Sequence, residues 1–138
     1  MERNIHIGAP AERVWSAVVD FPARPRWSPR VKSAELLDGG PLREGTRIRL
    51  KVGGNQFTPR VQAMRPRERL ELLVRGPGFS AAHTYQLAPA TNGTLLTING
   101  AFRGVFGRLM VVLMPGSVRR DLDDELDAIK RAAEAPAP

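Results

Sequence analysis

From residue 30 to residue 103 apolar side chains recur at every second position, broken only by turn residues. A chain with that period must build an antiparallel sheet that is apolar on one face and polar on the other. The clearest stretch is TRIRLKV (46–52), which puts Ile48, Leu50 and Val52 on one face and Arg47, Arg49 and Lys51 on the other. GGN at 53–55 then reads as a hairpin. FTPRVQAM (57–64) returns, with Pro59 marking an edge or a bulge. RLELLV (69–74) turns Leu70, Leu72 and Val74 inward, SAAHTYQLAP (80–89) turns His83, Tyr85 and Leu87, and GTLLTINGAF (93–102) turns Leu96, Ile98 and Phe102. With ERNIHIG (2–8) and RVKSAELL (30–37), the pattern gives about seven strands.

One apolar sheet face needs a cover, and helical periodicity supplies it. Val118, Leu122, Leu126, Ile129 and Ala133 recur at steps of three or four. Ser117 suits an N-cap, the aspartates at 121, 123 and 124 lie towards the start, and Lys130 and Arg131 occupy the last turn. Before this helix, VFGRLMVVLM (105–114) is apolar nearly all round, and Pro115-Gly116 is expected to break or kink the two apart. Near the N-terminus a helix is predicted over about 10–20, with Pro10 in its first turn and Val14, Trp15, Val18 and Val19 as its stripe. Pro22, Pro25 and Pro29 turn 21–29 into a bend that carries Phe21 and Trp27. Trp15 belongs to the packed stripe, whereas Trp27 suits a core position or a pocket wall equally. Sheet and helix bury each other in an α+β arrangement, one domain over 1–134 with a frayed tail at 135–138.

Composition removes several function classes. There is no cysteine among the 138 residues and there are only two histidines, so no metal site is expected. No phosphate-cradling loop, dinucleotide fingerprint or G-x-S-x-G elbow occurs, and no cofactor is expected. The start, MERNIHI, lacks the apolar run of a signal peptide, and LMVVLM at 109–114 is too short to span a bilayer, so a soluble, cytoplasmic protein without a transmembrane segment is expected. The net charge of +7 lies wholly in residues 1–80, which hold fifteen Lys/Arg against eight Asp/Glu. Without an RNA-binding aromatic motif or a recognition-helix pattern, a solvated basic face is the reading, and no nucleic-acid partner is expected.

The segments IGAPAERVWSAVVDF (7–21), WSP (27–29), HTYQLAP (83–89), GTLLT (93–97), FRG (102–104) and DAIKRAAE (127–134), in that order, resemble the START-like, pollen-allergen-like (SRPBCC) superfamily in its polyketide cyclase/dehydrase and lipid-transport branch. The resemblance implies a helix-grip fold: a curved antiparallel sheet wrapped around a long C-terminal helix, short N-terminal helices at one end, and an apolar cavity between the layers. It carries over no universal catalytic motif, so catalytic residues stay unassigned. The positions expected to face the cavity are Phe21, Trp27, His83, Tyr85, Ile98, Phe102, Leu109, Met110, Leu113 and Met114. His83 and Tyr85 share one strand face and bring polar atoms into an apolar chamber. No inward carboxylate is evident to tune His83, since the neighbouring strand offers Leu96, Ile98, Gly100 and Phe102, and Gly100 leaves extra room. Glycines and Pro115 around 105–114 suit that segment to act as a lid.

Three functions stay open. The first is binding, or transport, of a hydrophobic small molecule such as a lipid or polyketide in the cavity. The second is an aromatase/cyclase or dehydratase enzyme using the same cavity. The third is a regulatory domain that binds an acidic partner through the Arg47/Arg49/Lys51 face. A homodimer is also left open.

Overall fold

The computed structural model describes residues 1–105, 109, 112–113 and 115–136. Strand β1 (Glu2–Ile7) leads into helix α1 (Ala11–Val19), a single 3-10 turn (Phe21–Ala23) and the short helix α2 (Arg24–Trp27). Seven further strands follow: β2 (Val31–Leu36), β3 (Ile48–Val52), β4 (Asn55–Phe57), β5 (Arg60–Arg65), β6 (Arg69–Gly76), β7 (Phe79–Ala90) and β8 (Gly93–Arg103). Helix α3 (Pro115–Glu134) ends the described fold.

All pairing is antiparallel, in a five-stranded sheet ordered β1-β8-β7-β6-β5 and a three-stranded sheet ordered β2-β3-β4. A short ladder joins them: Arg47 bridges Arg60, Ile48 N–H donates to the Pro59 carbonyl at 2.9 Å and Val61 N–H to that of Thr46 at 2.9 Å. Eight strands therefore replace the expected seven. The added one is β4, because the segment read as a single strand over 57–64 divides at Thr58-Pro59, where proline has no N–H for a ladder.

Helix α3 packs against β1, β8, α1 and α2. Its stripe is the predicted one, with Val118, Leu122, Leu126, Ile129 and Ala133 all buried. Leu122, Leu126, Ile129 and Ala133 meet Ile7, Val14, Val18, Phe21, Leu70, Leu72, Leu96 and Ile98 in one core. Polar ties fix the helix at its flanks: Arg3 to Asp123 at 2.9 Å, the Gly8 N–H to Glu134 at 2.6 Å, and Arg30 to Asp121. Ser117, expected as the N-cap, lies inside α3 instead, because Pro115 and Gly116 already belong to the helix. Among the described residues no helix is long and apolar enough to cross a membrane.

Candidate functional site

Register decides which inward side chains form rows across the sheet. Leu70, Tyr85 and Ile98 stand opposite one another on β6, β7 and β8, then Leu72, His83 and Gly100, then Val74, Ala81 and Phe102. Burial falls along these rows. Leu70, Tyr85 and Ile98 are packed shut, Leu72 and Gly100 are buried beside a half-buried His83, and Val74, Ala81 and Phe102 are all half-buried. Phe79 continues the half-buried end, its ring lying where a side chain on Gly76 would collide with it. Among the described residues the inner face is thus fully buried at one end and half-buried at the other.

The boundary between the two is polar. Glu125 reaches it from α3, three residues after Leu122 and four before Ile129, on the stripe itself. Its Oε1 meets His83 Nε2 at 2.9 Å, and its Oε2 accepts from Arg24 Nη1 at 2.8 Å and from the Tyr85 hydroxyl. Arg24 comes from the proline-rich bend, which turns it inward as α2 begins. Its side chain is only 4% exposed, a rare state for an arginine without partners. Nη2 donates to the Val18 carbonyl at 2.9 Å and to the Tyr85 hydroxyl at 3.3 Å. The guanidinium also lies 4.4 Å from the centre of the Phe21 ring, 5.4 Å from that of Tyr85 and 5.7 Å from that of Trp27. Its Nε has no partner among the described residues.

These contacts fix protonation. Burial works against ionised Glu125, but His83, Arg24 and the Tyr85 hydroxyl outweigh it and hold the carboxyl far below its ordinary value. Burial, with the charge of Glu125, pushes the Tyr85 phenol up, against the opposing pull of Arg24, so it stays neutral. An ionised carboxylate accepts only, so His83 Nε2 carries a proton, and in the neutral ring Nδ1 is left as an acceptor. Nδ1 makes no hydrogen bond among the described residues. The rings of His83 and Tyr85 meet edge to face at 5.0 Å.

The ten expected cavity residues separate on this geometry. His83 and Phe102 lie at the half-buried end, and Tyr85 is buried in the polar boundary. Phe21 and Ile98 are fully buried in the core, and Trp27 is half-buried near Arg24. Leu109 and Leu113 are 50% and 67% exposed, while Met110 and Met114, with most of the expected lid, lie outside the described residues. The expectation that His83 has no carboxylate partner is overturned by Glu125, which comes from the helix rather than from the neighbouring strand. Its sequence signal was a charged residue on an apolar stripe. Arg24 gave no signal of that kind. Gly100 leaves room for no more than a small group, since a Cβ there would sit 3.9 Å from Phe102 and 4.0 Å from Leu122. No group of His, Asp or Glu side chains among the described residues is arranged to hold a metal ion. The basic face of β3 is partly neutralised, Arg47 by Asp38 at 2.8 Å and Arg49 by Glu35 at 3.3 Å.

The family described as polyketide cyclase / dehydrase and lipid transport matches residues 1–134. No curated protein matches the chain. Among solved structures, a START superfamily protein from Mycobacterium smegmatis is 21% identical with a TM-score of 0.71, over 95% of this chain and 97% of that one. The Zhui aromatase/cyclase from a Streptomyces species is 19% identical with a TM-score of 0.74, over 97% of this chain and 92% of that one. A Mesorhizobium loti protein is 14% identical with a TM-score of 0.79, over 100% and 98%. At these identities the likeness establishes the fold, a START-like helix grip.

Proposed function

We infer that this chain, which belongs to the polyketide cyclase / dehydrase and lipid transport family, binds a hydrophobic small molecule of the lipid or polyketide kind in the open half of its grip. The observation that carries this reading is the burial gradient along β6, β7 and β8, closed at Tyr85 and half-buried from His83 to Phe79. An apolar guest lying over Val74, Ala81 and Phe102 removes that surface from water, at roughly 25 cal/mol per Å². Its polar end then meets His83. With Nε2 donating to Glu125, Nδ1 is the ring atom left for the guest: it accepts from a hydroxyl in the neutral ring and donates to a carbonyl in the imidazolium. Such a site is mostly apolar with one orienting polar group, the usual make-up of a small-molecule pocket.

A second reading, an enzyme of the cyclase or dehydratase type, is favoured by the His83–Glu125 contact at 2.9 Å. Glu125 orients the ring and stabilises the imidazolium that forms when Nδ1 takes a proton from a substrate, as a general base requires. Mass spectrometry of freshly purified protein under mild ionisation, followed by solvent extraction, tests the binding reading. A copurified apolar compound that the Phe102→Ala variant fails to retain is the expected result. Equal retention by that variant, or protein that neither copurifies with nor takes up any member of a lipid and polyketide panel, would overturn it. Turnover of a bound polyketide that is lost in His83→Ala while binding persists selects the second reading.

A further inference from the structure

We propose that the pocket of about 410 Å³ where the two sheets join is a binding site for a phosphate group, held between Arg60 and Arg43. The ladder at this junction sets Arg47 directly opposite Arg60, and like charges facing each other across antiparallel strands are unfavourable unless compensated. One of the two is compensated. Asp38 takes the backbone N–H of Arg47 at 2.8 Å, its Nη2 at 2.8 Å and its Nε at 3.4 Å. Hydrogen bonds from the Arg47 side chain and backbone hold Asp38 down to about 2, against a small opposing effect of burial and with help from the charges of Arg47 and Arg43. That carboxylate is therefore ionised throughout the physiological range.

Arg60 has no such counterpart: among the described residues it makes no ion pair and no side-chain hydrogen bond. Arg43 stands likewise, its backbone N–H pinned to the hydroxyl of the buried Thr46 at 3.0 Å. The other acid on the wall, Glu44, accepts the backbone N–H of Met64 at 3.4 Å. Both guanidiniums rest over residues without side chains, Arg43 Nη1 3.3 Å from where a Cβ on Gly40 would stand and Arg60 Nη2 3.8 Å from one on Gly45. Two forks of N–H donors with no acceptor thus share one pocket. A carboxylate satisfies one fork, whereas a phosphate offers enough oxygens and charge for both. Occupation would also compensate the second arginine of the facing pair. The site is independent of the half-buried end of the β6-β7-β8 face and of the function inferred for it.

The test is titration of the full chain with inorganic phosphate at ionic strength held constant with sodium chloride, followed by the amide NMR signals of Gly45, Thr46 and Arg60. Saturable shifts at these amides are expected. Arg60→Gln and Arg43→Gln should each weaken binding by about tenfold to a hundredfold, the loss expected for a charge-assisted hydrogen bond. Lys51→Gln, on the outer face of β3, should leave it unchanged. A parallel titration with a short-chain phosphatidate separates the sources of the group. Binding at least about tenfold tighter than inorganic phosphate, with the same dependence on Arg60, identifies a lipid headgroup, and equal binding identifies a free or small-molecule phosphate. Shifts no larger than chloride alone produces, or a folded Arg60→Gln variant that binds as well as the parent, would overturn the proposal.

Discussion

The pair Arg24–Glu125 is best probed by removing each partner and then both. In Glu125→Leu, the guanidinium stays 4% exposed and keeps only the Val18 carbonyl and the Tyr85 hydroxyl. Stranding one charge of a buried pair costs about 3–5 kcal/mol. In Arg24→Met the stranded group is Glu125, which is 22% exposed and retains His83 and Tyr85. That lower isolation reduces the expected cost to about 1–3 kcal/mol. The double variant strands neither charge, and methionine can still lie against the rings of Phe21 and Trp27, but the buried Tyr85 hydroxyl loses both partners, so a cost of about 1–3 kcal/mol is expected. The cycle should therefore return a coupling of about 2–5 kcal/mol. Urea denaturation followed by circular dichroism measures it, provided that the slope against denaturant is the same in all four proteins. If the two single costs add to within about 0.5 kcal/mol of the double, Arg24 and Glu125 do not act as one electrostatic unit and the account of the boundary fails.

Other consequences are simpler. Burial opposes ionisation of Glu125 while His83, Arg24 and Tyr85 hold its pKa below the ordinary 4.5, so its contribution to stability is complete above that pH and drains away as pH falls towards the depressed value. Acid melts of Glu125→Gln should accordingly lose part of the parent's decline below that point, and parallel curves would contradict the assignment. Tyr85→Phe leaves Arg24 and Glu125 each short of one buried partner and should cost about 1–3 kcal/mol in the same denaturation assay. Gly93→Ala and Gly100→Ala separate a closed position from an open one. The first methyl collides with the Ile7 carbonyl oxygen, where about 2–4 kcal/mol is expected, and the second makes ordinary contacts, where less than about 1 kcal/mol is expected. Equal thermal shifts for the two would refute the packing described around Gly100.

Much of the fold can be read from periodicity because each strand carries its own record of which face is wet. The alternation in β3 and the inward sets of β6, β7 and β8 follow from their residues alone, and so does the stripe of α3. Pro59 signalled an irregularity but not its form, since only the pairing partners decide whether a proline bends a strand or divides it. The candidate site is harder because its members come from α2, β7 and α3. Glu125 was visible in principle as a charge at an apolar position. Arg24 was not, because in a bend rich in arginine and proline nothing local separates the residue that turns inward from Arg26, which stays exposed two positions later.

A buried Arg–Glu pair is weak evidence for stability as such, because apolar side chains of similar volume commonly serve a core as well or better. The cluster here does something an apolar filling would not. Glu125 holds the proton of His83 on Nε2, and Arg24 keeps Glu125 ionised and hydrogen-bonded at the position where it can do so. Remove the arginine and the carboxylate is free to take a proton or to turn to solvent, and either outcome frees the imidazole to choose its tautomer. Glu125 also rides on the helix whose flanks are tied to β1 through Arg3–Asp123 and to Gly8 through Glu134. Any slip of α3 over the sheet therefore moves the acceptor away from His83. Arg24, Tyr85 and Glu125 thus set, through His83, the chemistry offered at the half-buried end of the sheet, and they do so without being exposed there themselves.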